Sequence, residues 1–104
     1  MIDVSKLVGF EWDKGNIDKS YKKHEISIRE AEEAFLDKQV FLQEDIKHSE
    51  KEERFIAISK TSSNKMLFSI FTIRDRKIRI ISTRVANRRE RGLYEEKIKA
   101  NSTI

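Results

Sequence analysis

One stretch decides the fold of this chain: RFIAISKTSSNKMLFSIFTIRDRKIRIISTR, residues 54–84. It contains three runs rich in Ile and Phe, a composition typical of β-strands, at residues 54–60, 66–73 and 77–83. Polar turn residues separate the runs, TSSN at 61–64 and RDR at 74–76. Consecutive strands with links this short predict an antiparallel meander.

A further short strand and three helices are predicted around the meander. Residues 40–42 are β-prone and precede it. Asp13 is a candidate N-cap for a first helix, and Ser27 with Glu30 has the spacing of a capping box for a second. Asn87 and Glu90 have the same spacing before a last helix. The sequence therefore predicts an α+β fold with two N-terminal helices, a four-stranded antiparallel sheet and a C-terminal helix.

Length and composition limit the class of protein. The 104 residues suit a single domain over 1–104, with the last few residues expected to be flexible. Apolar residues make up 38% and cluster in the predicted elements, which argues against disorder. There is no cysteine, no apolar run of membrane-spanning length and no signal-peptide pattern at the start, so we expect a cytoplasmic protein without membrane contact.

Arginine is concentrated in the last predicted strand and in the residues on either side of it. Seven of the nine arginines lie in residues 74–91. Residues 54–91 carry eleven Lys/Arg and two acids, a net charge of +9, whereas residues 28–53 carry four Lys/Arg and nine acids, a net charge of −5. The planar donor fork of arginine suits phosphate. A basic face that attracts an anionic partner is therefore predicted, although charge asymmetry alone is also found on ordinary protein surfaces.

Signs of a metal or nucleotide cofactor are missing from the sequence. His24 and His48 lie in different segments, without a partner at metal-ligand spacing. Only three glycines occur, and they form no phosphate loop. We therefore expect no cofactor.

The remaining polar residues suit cleavage of RNA without a metal. That reaction needs a base for the ribose 2′-hydroxyl, cations for the phosphorane and a proton for the leaving 5′-oxygen. His24 or Glu53 is the candidate base. The candidate catalytic set is His24, Lys23, Glu53, Arg54, Arg79, Arg84 and Tyr94. The candidate RNA-binding set is Lys22, Arg76, Lys77, Arg88 and Arg91.

Several candidates have competing structural roles. Arg79 and Arg84 are an odd number of residues apart, so a regular strand would point them to opposite faces unless a bulge or the strand end near Ser82 intervenes. Glu90 fits the acid of a capping box better than a catalyst. Tyr94 can stack on a base or transfer a proton, but it also suits packing of a helix on a sheet.

A series of short motifs resembles the BrnT family from about Phe10 to about Tyr94. The motifs are Phe10-Glu11-Trp12-Asp13, Lys23-His24, Ile26-Ser27, Glu44-Asp45, His48-Ser49, Glu52-Glu53-Arg54-Phe55, Arg79-Ile80-Ile81-Ser82-Thr83-Arg84, Ala86, Glu90-Arg91 and Tyr94. The chain departs from the family pattern at Ser20, where Asn is usual, at Glu25, where Gly is common, and at Thr83, where Ala is usual. A Glu after His24 implies a different turn there from the one that Gly would give.

The resemblance implies the toxin of a type II toxin–antitoxin pair, with a RelE-like fold. Such a toxin cuts RNA without metal and arrests translation and growth. Its partner is an antitoxin with a ribbon-helix-helix DNA-binding part, in a heterotetramer similar to two toxins around an antitoxin dimer. The complex binds operator DNA through the antitoxin.

The sequence is also compatible with two other hypotheses. A non-catalytic module would use the basic face only to bind an antitoxin or nucleic acid. A degenerate toxin is suggested by Ser20 and Glu25.

Overall fold

The structure, a computed structural model, describes residues 9–11, 26–45 and 53–102. The predicted helix that starts at Asp13 lies outside these ranges, as do Ser20 and Glu25. The described elements, in chain order, are β1 (Gly9–Glu11), α1 (Ile28–Ala34), β2 (Phe41–Glu44), β3 (Phe55–Lys60), β4 (Met66–Arg74), β5 (Lys77–Val85) and α2 (Arg88–Ser102).

The strands form a five-stranded mixed sheet in the order β1-β5-β4-β3-β2. The meander from β2 to β5 is antiparallel, as predicted. The prediction of two N-terminal helices and a four-stranded, wholly antiparallel sheet is wrong, because β1 adds a fifth strand parallel to β5 and the described residues contain two helices. Three residues are too few to show an alternating pattern, and a parallel partner 68 positions away leaves no hairpin signal.

The tight link between β4 and β5 has an unusual backbone. Its two central residues, Asp75 and Arg76, have φ values of 50° and 62°. Positive φ at both central residues defines the type I′ turn, whose twist matches that of the flanking strands. Asp tolerates this conformation better than Arg does, so Arg76 is held against its own backbone preference.

A β-bulge interrupts the pairing of β4 with β5. Ile70 lies opposite Ser82, whereas the next residue of β4, Phe71, lies opposite Ile80. Ile81 is therefore an extra residue in β5. From this point on, the side-chain alternation of β5 is shifted by one position.

The helices pack on opposite faces of the sheet. α1 covers the face where Phe55, Phe71 and Ile80 form the larger core, together with Ala31 and Phe35. On the other face, the second core comprises Ile58, Met66, Ala86 and Tyr94, with Phe41, Ile56, Phe68, Leu93 and Ile98 packed against it. We call this second side the α2 face.

Both predicted capping boxes are present. The Ser27 hydroxyl accepts a hydrogen bond from the Glu30 N–H, and the Glu30 carboxylate accepts one from the Ser27 N–H. Asn87 and Glu90 exchange the same two hydrogen bonds, both at 2.9 Å. Each box satisfies backbone N–H groups that the helix itself leaves without partners.

Candidate functional site

Arg79 and Arg84 lie on the same face of the sheet. Arg84 is opposite Phe68, a residue of the second core, and is therefore on the α2 face. Arg79 is opposite Thr72, four residues further along β4, so it shares the face of Phe68. The bulge at Ile81 produces this result, because it offsets the odd spacing of the two arginines. Their Cα atoms are about 13 Å apart along the strand at 3.3 Å per residue.

Glu53, Arg54 and Arg79 gather at one end of the sheet. The Thr72 hydroxyl donates to the Glu53 carbonyl at 2.7 Å, and Thr72 is the residue opposite Arg79. The pairing of Phe55 with Phe71, extended by one residue, brings Arg54 beside Thr72. Arg54 is then two strand spacings from Arg79, about 10 Å between Cα atoms. Glu53 is exposed, whereas Arg54 and Arg79 are half-buried.

Glu11 lies at the same end of the sheet, on the other side of β5. It lies opposite Arg79 in the parallel pair, and its Oε1 is 3.7 Å from the Arg79 Nη1. A contact at this distance between partly exposed groups is weak. Sequence reasoning missed Glu11 as a site residue, because only the parallel pairing of β1 brings it there.

Arg84 is oriented by two neighbours. Its Nη1 and Nη2 donate to the two carboxylate oxygens of Glu90, both at 2.8 Å. Its guanidinium carbon lies 4.3 Å from the ring centroid of Phe68, a cation–π arrangement. The hydrogen bond to Glu90 raises the pKa of Arg84 further above its already high ordinary value. Arg84 therefore stays charged and is held in a fixed direction.

The ionisation of Glu90 reflects two opposing effects. Burial favours its neutral form, but the hydrogen bonds from Arg84 and from the Asn87 N–H outweigh burial, and the pKa of Glu90 falls below 4.5. Glu90 thus both caps α2 and orients Arg84. The capping role was expected from the spacing, whereas the contact with Arg84 was not.

Tyr94 is placed away from the basic residues. Only 3% of its surface is exposed. Its hydroxyl donates to Asp37 Oδ2 at 2.6 Å, and the same oxygen accepts from the Lys60 N–H. Burial, followed by the hydrogen bond to Asp37, raises the pKa of Tyr94 well above 10. Its catalytic role stays a prediction, and its surroundings favour a structural role.

The candidate RNA-binding residues of the described chain are exposed. Arg76 and Lys77 lie at the β4–β5 turn, and Arg88 and Arg91 lie in the first turns of α2 beside the equally exposed Arg89. The turn precedes β5 and α2 follows it, so these two groups of cations lie at opposite ends of the strand that carries Arg79 and Arg84. Strained backbone at an exposed cation such as Arg76 is a feature that functional sites often show.

Lys22, Lys23 and His24 lie outside the described residues. Within the described ranges, no three His, Asp or Glu side chains form a group that could hold a metal ion. No helix of the described chain has the length and apolar character needed to cross a membrane.

Comparison with known proteins agrees with the motifs along the chain. The model of the family described as the ribonuclease toxin BrnT of type II toxin–antitoxin systems matches residues 12–90. No curated protein gives a significant match. The family match spans β2 to β5, the Arg84–Glu90 pair and the first turn of α2, which together make up most of the candidate site. The chain belongs to the BrnT family of ribonuclease toxins of type II toxin–antitoxin systems.

Proposed function

We propose that this toxin is an endoribonuclease that cuts RNA without a metal ion and so arrests translation and growth. The observation that carries the proposal is the bulge at Ile81, because it brings Arg79 and Arg84 to one face of the sheet. Arg54 joins Arg79 at the end of that face. Membership of the family indicates a ribonuclease, and the arginines of this face are the residues that would bind the phosphates of RNA.

The proposed reaction is a transfer within the RNA chain. His24 or Glu53 takes the proton from a ribose 2′-hydroxyl, and the resulting oxygen attacks the adjacent phosphorus. The bond from phosphorus to the 5′-oxygen breaks, and Lys23 or Tyr94 is the candidate donor of the proton that this oxygen takes up. The products are a 2′,3′-cyclic phosphate and a free 5′-hydroxyl.

Arg79 and Arg84 are assigned different roles in this proposal. Arg79 lies at the same end of the sheet as Glu53 and Arg54, so it is the first candidate for stabilising the charge of the scissile phosphate. Arg84 is about 13 Å away along the strand, and two of its nitrogens already donate to Glu90. We therefore assign Arg84 to a flanking phosphate. Lys22, Arg76, Lys77, Arg88 and Arg91 extend the RNA contact on either side.

The test is cleavage of RNA by the antitoxin-free protein in EDTA. We expect new ends with a cyclic phosphate, and no cleavage when the 2′-hydroxyls are replaced by 2′-O-methyl groups. Intact RNA at micromolar protein would reject the nuclease activity, and cleavage only after Mg²⁺ is added would reject metal independence. His24→Ala and Glu53→Gln variants then identify the base.

The ion pairs of the arginines favour one alternative, a non-catalytic basic module. Arg84 already pairs with Glu90, and Arg79 contacts Glu11, as expected of arginines that form structural ion pairs on a protein surface. Such a protein would bind RNA with an affinity that falls steeply with salt, but it would produce no new ends. A degenerate toxin, suggested by Ser20 and Glu25, would cause no growth defect when expressed without antitoxin.

We also propose the form of the partner. The cognate antitoxin carries a ribbon-helix-helix part and joins two copies of this toxin around its dimer in the cytoplasm, and this complex represses its own operator. The mass of the co-purified complex tests the stoichiometry. We expect the mass of two toxins with two antitoxins, and the mass of one toxin with one antitoxin would contradict the proposal.

A further inference from the structure

The guanidinium of Arg84 lies between an acid and an aromatic ring. Its edge contacts Glu90, to which Nη1 and Nη2 each donate at 2.8 Å. One side of the group lies over Phe68, with 4.3 Å between the guanidinium carbon and the ring centroid. Despite these contacts, 38% of the surface of the Arg84 side chain is exposed. The side of the guanidinium that faces away from Phe68 is therefore the side on which a partner can reach it.

The pairing with Glu90 favours a stacked partner on Arg84. Burial opposes the ionisation of Glu90, but the hydrogen bonds from Arg84 and from the Asn87 N–H lower its pKa, so the carboxylate is charged at neutral pH. The pair then carries no net charge, which weakens its attraction for an anion. A guanidinium also stacks its flat side on planar rings, and a carboxylate at its edge does not block that contact. The N–H donors that these contacts do not use can still reach a phosphate of the same strand.

The residues beside Arg84 on the sheet suit the rest of a nucleobase. Arg84 is opposite Phe68, and the next pair on the same face is Ser82 opposite Ile70. Ile70 is apolar and half-buried, whereas Ser82 is exposed and carries a hydroxyl. We call Phe68, Ile70, Ser82 and Arg84 the stacking patch. It combines a planar cation, an apolar surface and a group that can donate to or accept from the edge of a base.

We propose that the stacking patch holds one unpaired base of an RNA strand, stacked on the side of Arg84 that faces away from Phe68. In a duplex the bases are paired and stacked on each other, whereas a single strand can present the flat side of a base to a protein. The substrate class is therefore single-stranded RNA. Every base has a flat side, so the contact itself requires no particular sequence.

A base held at the stacking patch would also position the strand for cleavage. Arg79 lies on the same face of the sheet, about 13 Å from Arg84 between Cα atoms at 3.3 Å per residue. The held base then belongs to a nucleotide next to the reacting one, and it fixes where the scissile phosphate lies relative to Arg79. The identity of the ligand as RNA rests on the proposed function, but the stacking does not depend on cleavage.

The experiment compares the affinities of the protein for two probes that carry the same number of phosphates. One probe is a short single-stranded 2′-O-methyl RNA of adenosines, which cannot be cleaved through its 2′-oxygens. The other has the same length and the same backbone but no bases. The test variant is Arg84→Lys, which keeps a positive charge beside Glu90 but has no planar group. The control variant, Arg88→Lys, makes the same change at an exposed arginine, under which no ring of the described residues lies.

We expect the parent and Arg88→Lys to bind the adenosine probe about tenfold more tightly than the abasic probe, because stacking adds to the phosphate contacts. In Arg84→Lys this preference should fall below about threefold, while the affinity for the abasic probe stays close to that of the parent. Equal affinities of the parent for the two probes, or a full preference in Arg84→Lys, would overturn the proposal. Equal weakening of both probes by Arg84→Lys would also overturn it and would make Arg84 a phosphate contact only.

Phe68→Leu provides a second measurement that leaves Arg84 and its pair with Glu90 in place. The variant removes the ring that lies against the guanidinium, so the preference for the adenosine probe should again fall. An unchanged preference in Phe68→Leu would contradict the stacking patch. Pairing the adenosine probe with 2′-O-methyl uridines should weaken its binding to the parent, and tighter binding of the duplex would reject single-stranded RNA as the substrate class.

The binding results and the cleavage results can fail separately. RNA that stays intact in EDTA, together with a preference for the adenosine probe, would reject the nuclease activity and keep the stacking patch. Cleavage of RNA by a parent protein that binds both probes equally would reject the stacking patch and keep the nuclease activity.

Discussion

The guanidinium of Arg84 and the carboxylate of Glu90 meet as two parallel hydrogen bonds of 2.8 Å each. Glu90 also accepts from the Asn87 N–H, so one carboxylate both caps the start of α2 and holds the Arg84 side chain of β5. The direction of Arg84 is therefore set by the cap of a helix. Any RNA contact made by Arg84 depends on a residue that need not touch RNA.

Replacing Glu90 by Gln should loosen Arg84 while the helix cap survives. Gln keeps an acceptor for the Asn87 N–H but loses the charge that Arg84 pairs with. Because Arg84 is partly exposed and its charge is screened, we expect a loss of about 1–2 kcal/mol in the free energy of unfolding. RNA cleavage should fall by about tenfold. Urea denaturation and single-turnover cleavage measure the two effects.

Glu95→Gln is the matched control for this variant, since Glu95 is exposed on the same helix. It should leave both quantities unchanged. Equal effects of the two variants, or full cleavage by Glu90→Gln at parental stability, would show that Glu90 does not orient Arg84 for function.

The pH dependence of stability should include a contribution from Glu90. Its folded pKa lies below the ordinary 4.5 despite the opposing effect of burial. The contribution is therefore present above about pH 4.5 and is lost as the pH falls through the lowered pKa. Between pH 5 and pH 3, unfolding free energy should fall more steeply in the parent than in Glu90→Gln. The pKa of Glu30 is also lowered, mainly by the hydrogen bond from Lys65. Glu30 therefore contributes part of the pH dependence that should remain in Glu90→Gln. Identical slopes would contradict the Glu90 contribution.

Tyr94→Phe separates structure from catalysis at this position. The variant keeps the ring in the second core but removes the hydrogen bond from the hydroxyl to Asp37. We expect a loss of about 1 kcal/mol in unfolding free energy and RNA cleavage close to that of the parent. Abolished cleavage in a variant of nearly parental stability would instead establish Tyr94 as a proton donor.

Arg76→Gly should stabilise the protein and weaken RNA binding. Glycine adopts the φ of 62° without strain, which should add about 0.5–1 kcal/mol to the unfolding free energy after the entropy of the unfolded chain is counted. Loss of one phosphate contact should lower the slope of log affinity against log salt by about 1. Fluorescence anisotropy with 2′-O-methyl RNA measures that slope.

Asn64→Gly is the control for strain alone, because Asn64 has a φ of 66° in the preceding hairpin and carries no charge. It should give a smaller gain in stability and an unchanged salt slope. A slope unchanged in Arg76→Gly as well would remove Arg76 from the RNA surface.

Local patterns predicted the meander, the tight β4–β5 link and both capping boxes, because each depends on residues close together in sequence. They missed β1, whose three residues become a strand only through long-range parallel pairing with β5. The bulge was foreseen as one way to bring Arg79 and Arg84 together, but no sequence pattern located it at Ile81. The contacts of Asp37 with Tyr94 and of Glu11 with Arg79 required the folded chain.

The most direct test of the account is the single-turnover rate of RNA cleavage in EDTA by Arg79→Ala, compared with Arg29→Ala. Arg79 lies on the α2 face at the end of the sheet where Glu53 and Arg54 also lie, whereas Arg29 is exposed on α1 in the acidic half of the chain. Loss of a group that stabilises the phosphorane should slow cleavage about 100-fold in Arg79→Ala, and Arg29→Ala should cut at the parental rate. A parental rate in a folded Arg79→Ala protein would contradict the central claim.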